Sequence, residues 1–203
     1  NVVKALAEGI AKLGHEVHVI TSQYGAEDRP KEEVLHGVHI HRIKSIRFGY
    51  SDLTYPIEVP NNILRSADIV QAFSQNSLFS YALVRAAKRF NRPLAVYFLG
   101  VDYLKNHYNV LIKAFGYKYE KYITKRIVKA TDLAFATNMC EANLLRDKYG
   151  VEAYVIPHGI NEELINTPNM ADAFRSKYGI DGEILTYIGR LHPTKGIDML
   201  IKA

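Results

Sequence analysis

Asp68-Ile-Val-Gln-Ala-Phe73 and Leu94-Ala-Val-Tyr-Phe-Leu99, joined by the amphipathic stretch Leu78 to Phe90, decide the fold. Both outer stretches are short apolar runs rich in β-branched and aromatic residues, the pattern of buried strands. Pro93 restarts the chain into the second run, and Gly100-Val101-Asp102 ends it. Strand, helix, strand at this spacing reads as a βαβ unit, which needs a parallel sheet.

The same alternation continues downstream. Thr131-Asp-Leu-Ala-Phe-Ala-Thr137 reads as another buried strand, and Asn138 with Glu141 as a capping pair for a helix that runs to Tyr149 and stops at Gly150. Ala153 to Ile156 is one more strand, ending in Pro157-His158-Gly159-Ile160-Asn161. Upstream, Val2, Leu6, Ile10 and Leu13 recur at helical spacing before Gly14, and Glu16 to Thr21 reads as a strand. Glu33 to Leu35 and Val38 to Ile43 form a strand pair hinged at His36-Gly37. The opening Asn1-Val-Val-Lys-Ala-Leu-Ala7 is already helical in pattern and lacks Met, so a first strand is expected to be missing ahead of it. The fold class is therefore α/β, a parallel sheet with helices on both faces.

Other stretches leave two readings each. His39 and His41 share a strand face, a spacing a metal can use; the alternative is a solvated face. Residues 44–62 show no periodicity and mix aromatics with cations, as a binding loop or a surface excursion does. Residues 105–129 read as one long helix. It carries Lys113, Lys118, Lys121, Lys125, Arg126 and Lys129 among Phe115, Tyr117, Tyr119 and Tyr122. Either it lies on an anionic membrane surface, or it is the solvated face of a sheet-covering helix with Lys stems over apolar surface.

Bulk properties exclude several classes. With 48 % hydrophobic and 23 % charged residues the composition is that of an ordinary globular protein. The net charge of +5 is mild and no run of five like charges occurs, which argues against nucleic acid as partner. One cysteine, Cys140, excludes an intramolecular disulfide and a cysteine-based metal cluster and fits a reducing compartment. No apolar stretch approaches the ~18 residues of a membrane-spanning helix.

Chemistry is concentrated near the end. In Ile184-Leu-Thr-Tyr-Ile-Gly-Arg-Leu-His-Pro-Thr-Lys-Gly-Ile-Asp-Met-Leu-Ile-Lys202, a strand reading over Ile184 to Ile188 stops at Gly189. A helix capped by Thr194 follows, with Ile197, Leu200 and Ile201 on one face. Between them stand Gly189, where a ligand can approach the backbone, and the cations Arg190 and Lys195. A strand, a glycine turn, two cations and a helix N-terminus suit a phosphate or diphosphate; the alternative is an ordinary βα turn with two solvated cations. The order of Lys and Gly is not that of a Walker loop, and G-x-G-x-x-G is absent.

Six segments, in order, resemble the retaining glycosyltransferases of the GT-B fold, the large family that includes glycogen synthases and bacterial cell-wall mannosyltransferases. They are Leu13-Gly14-His15-Glu16-Val17, Asp68-Ile69-Val70, Gly100-Val101-Asp102, Ala130 to Thr137, Ile156 to Asn161, and the "GRLxxxKGxdxLixA" pattern beginning at Gly189. The resemblance implies two Rossmann-like domains facing a cleft, with the acceptor on the first and a nucleotide sugar on the second. It implies an acceptor-side domain over 1–160, a connection over 161–182, and the first strand, loop and helix of the nucleotide-sugar domain over 183–203. Gly189, Arg190 and Lys195 then match the grip on the donor diphosphate. Leu99, Gly100, Asp102 and Tyr103 match the acceptor side, and His158, Gly159 and Asn161 the interdomain cleft. A resident cofactor and a metal are not expected, and the isolated fragment is expected to be inactive. The implied partners are a nucleotide sugar and a hydroxyl acceptor, with peripheral membrane contact as a further option, in the cytoplasm.

The sequence departs from the pattern at several places. Leu99 stands where the family often has His, Gln71 and Phe73 replace strand histidines, and His158 and Asn161 replace Asn and Asp. No catalytic residue is assigned. A nucleotide-sugar epimerase of the same fold and a non-catalytic sugar- or lipid-binding homologue are the rival readings. Asp102 reads as a helix cap or as a substitute for a lost polar contact.

Overall fold

A computed structural model of the chain describes residues 2–106, 109–159, 165–189, 191 and 195–203, with Tyr103 and Asn106 described by their backbone. The residues form two compact units, Asn1–His158 and Gly159–Ala203.

In the first unit, α1 (Val2–Lys12) buries Ala7, and Gly14 turns the chain at φ 90°. β1 (Val17–Ser22) pairs in parallel with β3 (Val38–Ile43), while β2 (Glu32–Leu35) joins β3 antiparallel. His36 and Gly37, at φ 51° and 81°, form the two-residue turn expected between β2 and β3. Two successive left-handed residues give the twist that a tight hairpin needs.

Residues 44–62 are ordered rather than irregular. β4 (Ser45–Arg47) and β5 (Thr54–Pro56) form an antiparallel hairpin, followed by α2 (Asn61–Ser66). Three-residue strands are too short for alternation to register, and partners distant in sequence hold them. The Arg47 guanidinium lies 3.8 Å over the Tyr24 ring, and Asn76 Nδ2 donates to Asp52 Oδ2 at 2.9 Å. The Tyr119 hydroxyl donates to Asn76 O at 2.8 Å.

The decisive alternation follows as expected: β6 (Val70–Phe73), α3 (Leu78–Arg89), β7 (Leu94–Phe98), α4 (Tyr117–Ala130), β8 (Leu133–Ala136), α5 (Met139–Tyr149) and β9 (Ala153–Val155). The four strands form a parallel sheet in the order β6-β7-β8-β9, a Rossmann-like arrangement flanked by helices. β7 is central and buried along its whole length, from Leu94 at 1 % exposure to Phe98 at 0 %. Leu94, Val96 and Phe98 pack with Val84 of α3, Ile123 and Ile127 of α4, and Leu145 of α5. Asp132 braces the start of the sheet: it accepts from Leu94 N–H at 2.8 Å and Lys88 Nζ at 2.6 Å.

The expected single helix over 105–129 is instead broken. Tyr103–Asn106 is a 3₁₀ turn, Ile112–Gly116 is π-helical, and regular α4 begins at Tyr117. Gly116 lies so close to Leu104 that a Cβ there would come within 3.1 Å of Leu104 Cδ1. Such single π turns interrupt helices where packing demands an extra residue.

In the second unit, α6 (Ala171–Tyr178) ends at Gly179 with φ 62°, and α7 (Ile197–Lys202) starts from Gly196 at φ 64°. Thr194, the expected cap, lies outside the described residues. The strand expected over Ile184 to Ile188 is not formed: Leu185 is 79 % and Ile188 92 % exposed. A strand exists only where a neighbour takes its backbone hydrogen bonds, and Ile184 to Ile188 belongs to none of the sheets among the described residues.

Candidate functional site: the loops after the parallel strands

In open parallel sheets, ligands bind outside the carboxyl ends of the strands, because the loops there are free of the packing that fixes the strands. Here four loops meet that description: residues 74–77 after β6, 99–102 after β7, Thr137-Asn138 after β8, and 156–158 after β9. Ser74 and Asp102 hold positive φ, 69° and 62°, although neither is glycine. Backbone in that region is strained for an L side chain and persists where surrounding structure enforces it.

The loop after β7 is fastened at consecutive residues. Gln75, fully buried, donates through Nε2 to Leu99 O at 3.1 Å and accepts from Leu99 N–H at 3.0 Å. Glu141 accepts from Gly100 N–H at 2.6 Å through Oε1, while its Oε2 accepts from Thr137 N–H at 3.2 Å and from the Thr137 hydroxyl. One carboxylate therefore ties the loop after β7 to the end of β8. Gly100 itself sits at φ 62°, which glycine adopts without strain.

Asp102 is 7 % exposed and its carboxylate turns inward. It accepts from Lys148 Nζ and from the Tyr149 hydroxyl, the latter at 3.3 Å. Its carbonyl accepts from Lys105 N–H at 3.0 Å, which starts the 3₁₀ turn. The Asp102 side chain thus forms an ion pair across to α5. The Asp102 hydrogen bond pushes the Lys148 ammonium above its ordinary pKa. Burial first, and then the Asp102 charge, push the Tyr149 phenol up as well, so the hydroxyl stays a donor.

Tyr97 points to the loop after β9. Its hydroxyl donates to Ile156 O, and its ring stacks on His158 with centroids 5.7 Å apart and planes 18° from parallel. Burial and then the Glu141 charge raise the Tyr97 pKa, which keeps that donor protonated.

The other expected site residues are placed as follows. Leu99 is half-buried, and Tyr103 opens the 3₁₀ turn. His158 and Gly159 are exposed. In the second unit Gly189 and Lys195 are exposed, and a Cβ on Gly189 would lie 2.6 Å from Tyr187 Oη. Arg190 and Asn161 lie outside the described residues. The structure thus brings Leu99, Gly100 and Asp102 together on one loop. Gln75, Glu141 and Tyr97, which fasten that rim, carried no sequence signal beyond the capping pair: Asn138 does accept from Glu141 N–H at 3.0 Å, but the Glu141 carboxylate serves Gly100 and Thr137.

The His39–His41 face is richer than the sequence reading. Pairing of β1 with β3 adds His18, whose Nδ1 lies 2.9 Å from His41 Nε2, and all three rings stack. Glu16 and Glu32 flank them at 3.0 Å from His18 and 3.4 Å from His41, and the His18 contact holds the Glu16 carboxyl below its ordinary range. No group of three such side chains among the described residues has a metal-holding arrangement.

With this geometry, the comparisons with known proteins are decisive for the family. The description Glycosyltransferase Family 4 matches residues 1–164. The chain is also 25 % identical, over 99 % of its length, to a D-inositol 3-phosphate glycosyltransferase of Kineococcus radiotolerans. It spans 50 % of that relative's length. A match over most of the chain, on an α/β unit with the expected parallel sheet, is sufficient: the chain belongs to Glycosyltransferase Family 4.

Proposed function

We propose that this chain is the acceptor-side domain (1–160), the connection (161–182) and the first part of the donor domain (183–203) of a retaining glycosyltransferase. The enzyme moves a sugar from a nucleoside diphosphate to a hydroxyl acceptor. The observation that carries the acceptor assignment is the loop Leu99–Asp102, held at the carboxyl ends of the parallel strands by Gln75 and Glu141 in a chain of this family. The relative's name, which pairs glycosyl transfer with inositol 3-phosphate, supports a hydroxyl-bearing acceptor.

On the donor side, Gly189, Arg190 and Lys195 receive the diphosphate. Cleaving the sugar–phosphate bond leaves negative charge on that group, and fixed cations stabilise it more in the transition state than in the ground state. The cations replace a metal in this role, so chelators leave the rate unchanged. His158, Gly159 and Asn161 are the cleft candidates that the family resemblance implies.

The test uses the complete polypeptide. Incubation with UDP-, GDP- and ADP-sugars is expected to release free nucleoside diphosphate from one donor class, and Arg190→Ala to abolish release. Binding without release, with acceptor extract present, would mean a non-catalytic homologue. Product formed equally with and without acceptor would mean an epimerase.

A further inference from the structure

The segment that leads into and forms α4 is segregated by charge to a degree the whole chain is not. Between Asn109 and Thr131 the cations are Lys113, Lys118, Lys121, Lys125, Arg126 and Lys129, all exposed. The one acid there, Glu120, is fully buried and accepts from Leu104 N–H at 3.2 Å. The outward face is therefore cationic throughout, in a chain whose net charge is only +5.

Large apolar residues stand on the same face. Val110 is 76 %, Leu111 68 % and Phe115 69 % exposed, at the end where α4 begins. Tyr122 is 53 % exposed further along, with the Arg126 guanidinium 3.4 Å over its ring. The groove between α3 and α4 adds Arg85, Lys88 and Arg89. Solvation explains the lysines but not three adjacent, mostly exposed aliphatic and aromatic side chains.

We propose that the outward face of residues 110–129 docks on an anionic lipid surface. Val110, Leu111 and Phe115 enter the headgroup–acyl boundary, and the lysines and Arg126 meet the lipid charges. The exposed aliphatic Val110 and Leu111 separate this partner from nucleic acid, which meets cations with its phosphates and aromatic rings with its bases. Gly116 against Leu104, and Glu120 on the Leu104 amide, couple the docked face to the turn that follows the rim loop. The docking does not rest on the transferase reading, and its test needs no turnover.

The experiment is vesicle co-sedimentation of the full chain. Binding is expected to phosphatidylcholine–phosphatidylglycerol vesicles and to fall about tenfold or more on pure phosphatidylcholine or at high salt. The double variant Lys118→Glu, Lys121→Glu and the single variant Phe115→Ser should each weaken binding. The charge-matched control Lys12→Glu, Lys31→Glu should not; all five positions are exposed, so folding is preserved. Equal binding to both vesicle types would overturn the proposal, as would a control that loses as much as the α4 variant. So would loss of binding to duplex RNA, but not to vesicles, in the lysine variant. Self-association abolished by Phe115→Ser without any vesicle binding would likewise assign the face to a second copy.

Discussion

Leu94-Ala-Val-Tyr-Phe98 and Ile184-Leu-Thr-Tyr-Ile188 are both mainly apolar five-residue runs with tyrosine fourth, and one is a strand while the other is not. The first is β7, at most 5 % exposed at any residue, with β6 and β8 on either side. The second belongs to no sheet among the described residues, with Ile188 at 92 % exposure. Apolar β-branched runs create a demand for burial and for backbone partners. Whether the demand is met depends on neighbours that the run itself does not specify. The same contrast separates the loops after β6 and β7, whose backbones are fastened by Gln75 and Glu141, from the exposed Gly189 and Lys195 of the second unit.

The sharpest way to break this comparison is mutational. Phe98→Ala should lower unfolding free energy by about 3–5 kcal/mol, because it empties a site closed by α3, α4 and α5. Ile188→Ala should change it by about 0.5 kcal/mol or less, the range of exposed positions. Urea denaturation measures both; comparable losses would show that 184–188 is packed as tightly as β7.

A smaller effect sharpens the same contrast at the base of the sheet. Asp132 is held below its ordinary pKa, chiefly by Lys88 and then by the Leu94 amide. A depressed carboxylate contributes stability that is present above its unfolded pKa and is lost as pH falls through the lower, folded value. Asp132 is half exposed, at 52 %, so solvent screening limits the gain to about 1 kcal/mol or less. Asp132→Asn should therefore flatten the acid limb of the stability–pH curve slightly and leave the neutral limb lower by that amount. An unchanged acid limb would show that the brace contributes nothing.

Legibility in the sequence followed the range of the interactions. α1, the β2–β3 turn, the βαβ alternation and the Gly150 stop rest on local patterning, and the structure matches them to within a residue or two. Three features were not legible. The β4–β5 hairpin depends on Asn76 and Tyr119, far along the chain. The π turn at Ile112–Gly116 answers to Leu104. The histidine stack needs β1 beside β3. At the candidate site, the loop Leu99–Asp102 was found through family resemblance. Its supports were not, because a Gln after a strand or a Glu in a capping pair has many ordinary uses.

Glu141 offers the most direct measurement, made on the complete polypeptide with donor and acceptor varied separately. Loss of its hydrogen bonds to Gly100 and Thr137 frees the rim loop, so Glu141→Ala is expected to raise the acceptor KM about tenfold or more while the donor KM holds. Glu141→Gln, which keeps one acceptor oxygen for Gly100, should recover part of that loss. A donor KM that rises in step, or an acceptor KM that stays fixed while hydrogen exchange shows the loop released, would contradict the proposed placement of the acceptor on this rim.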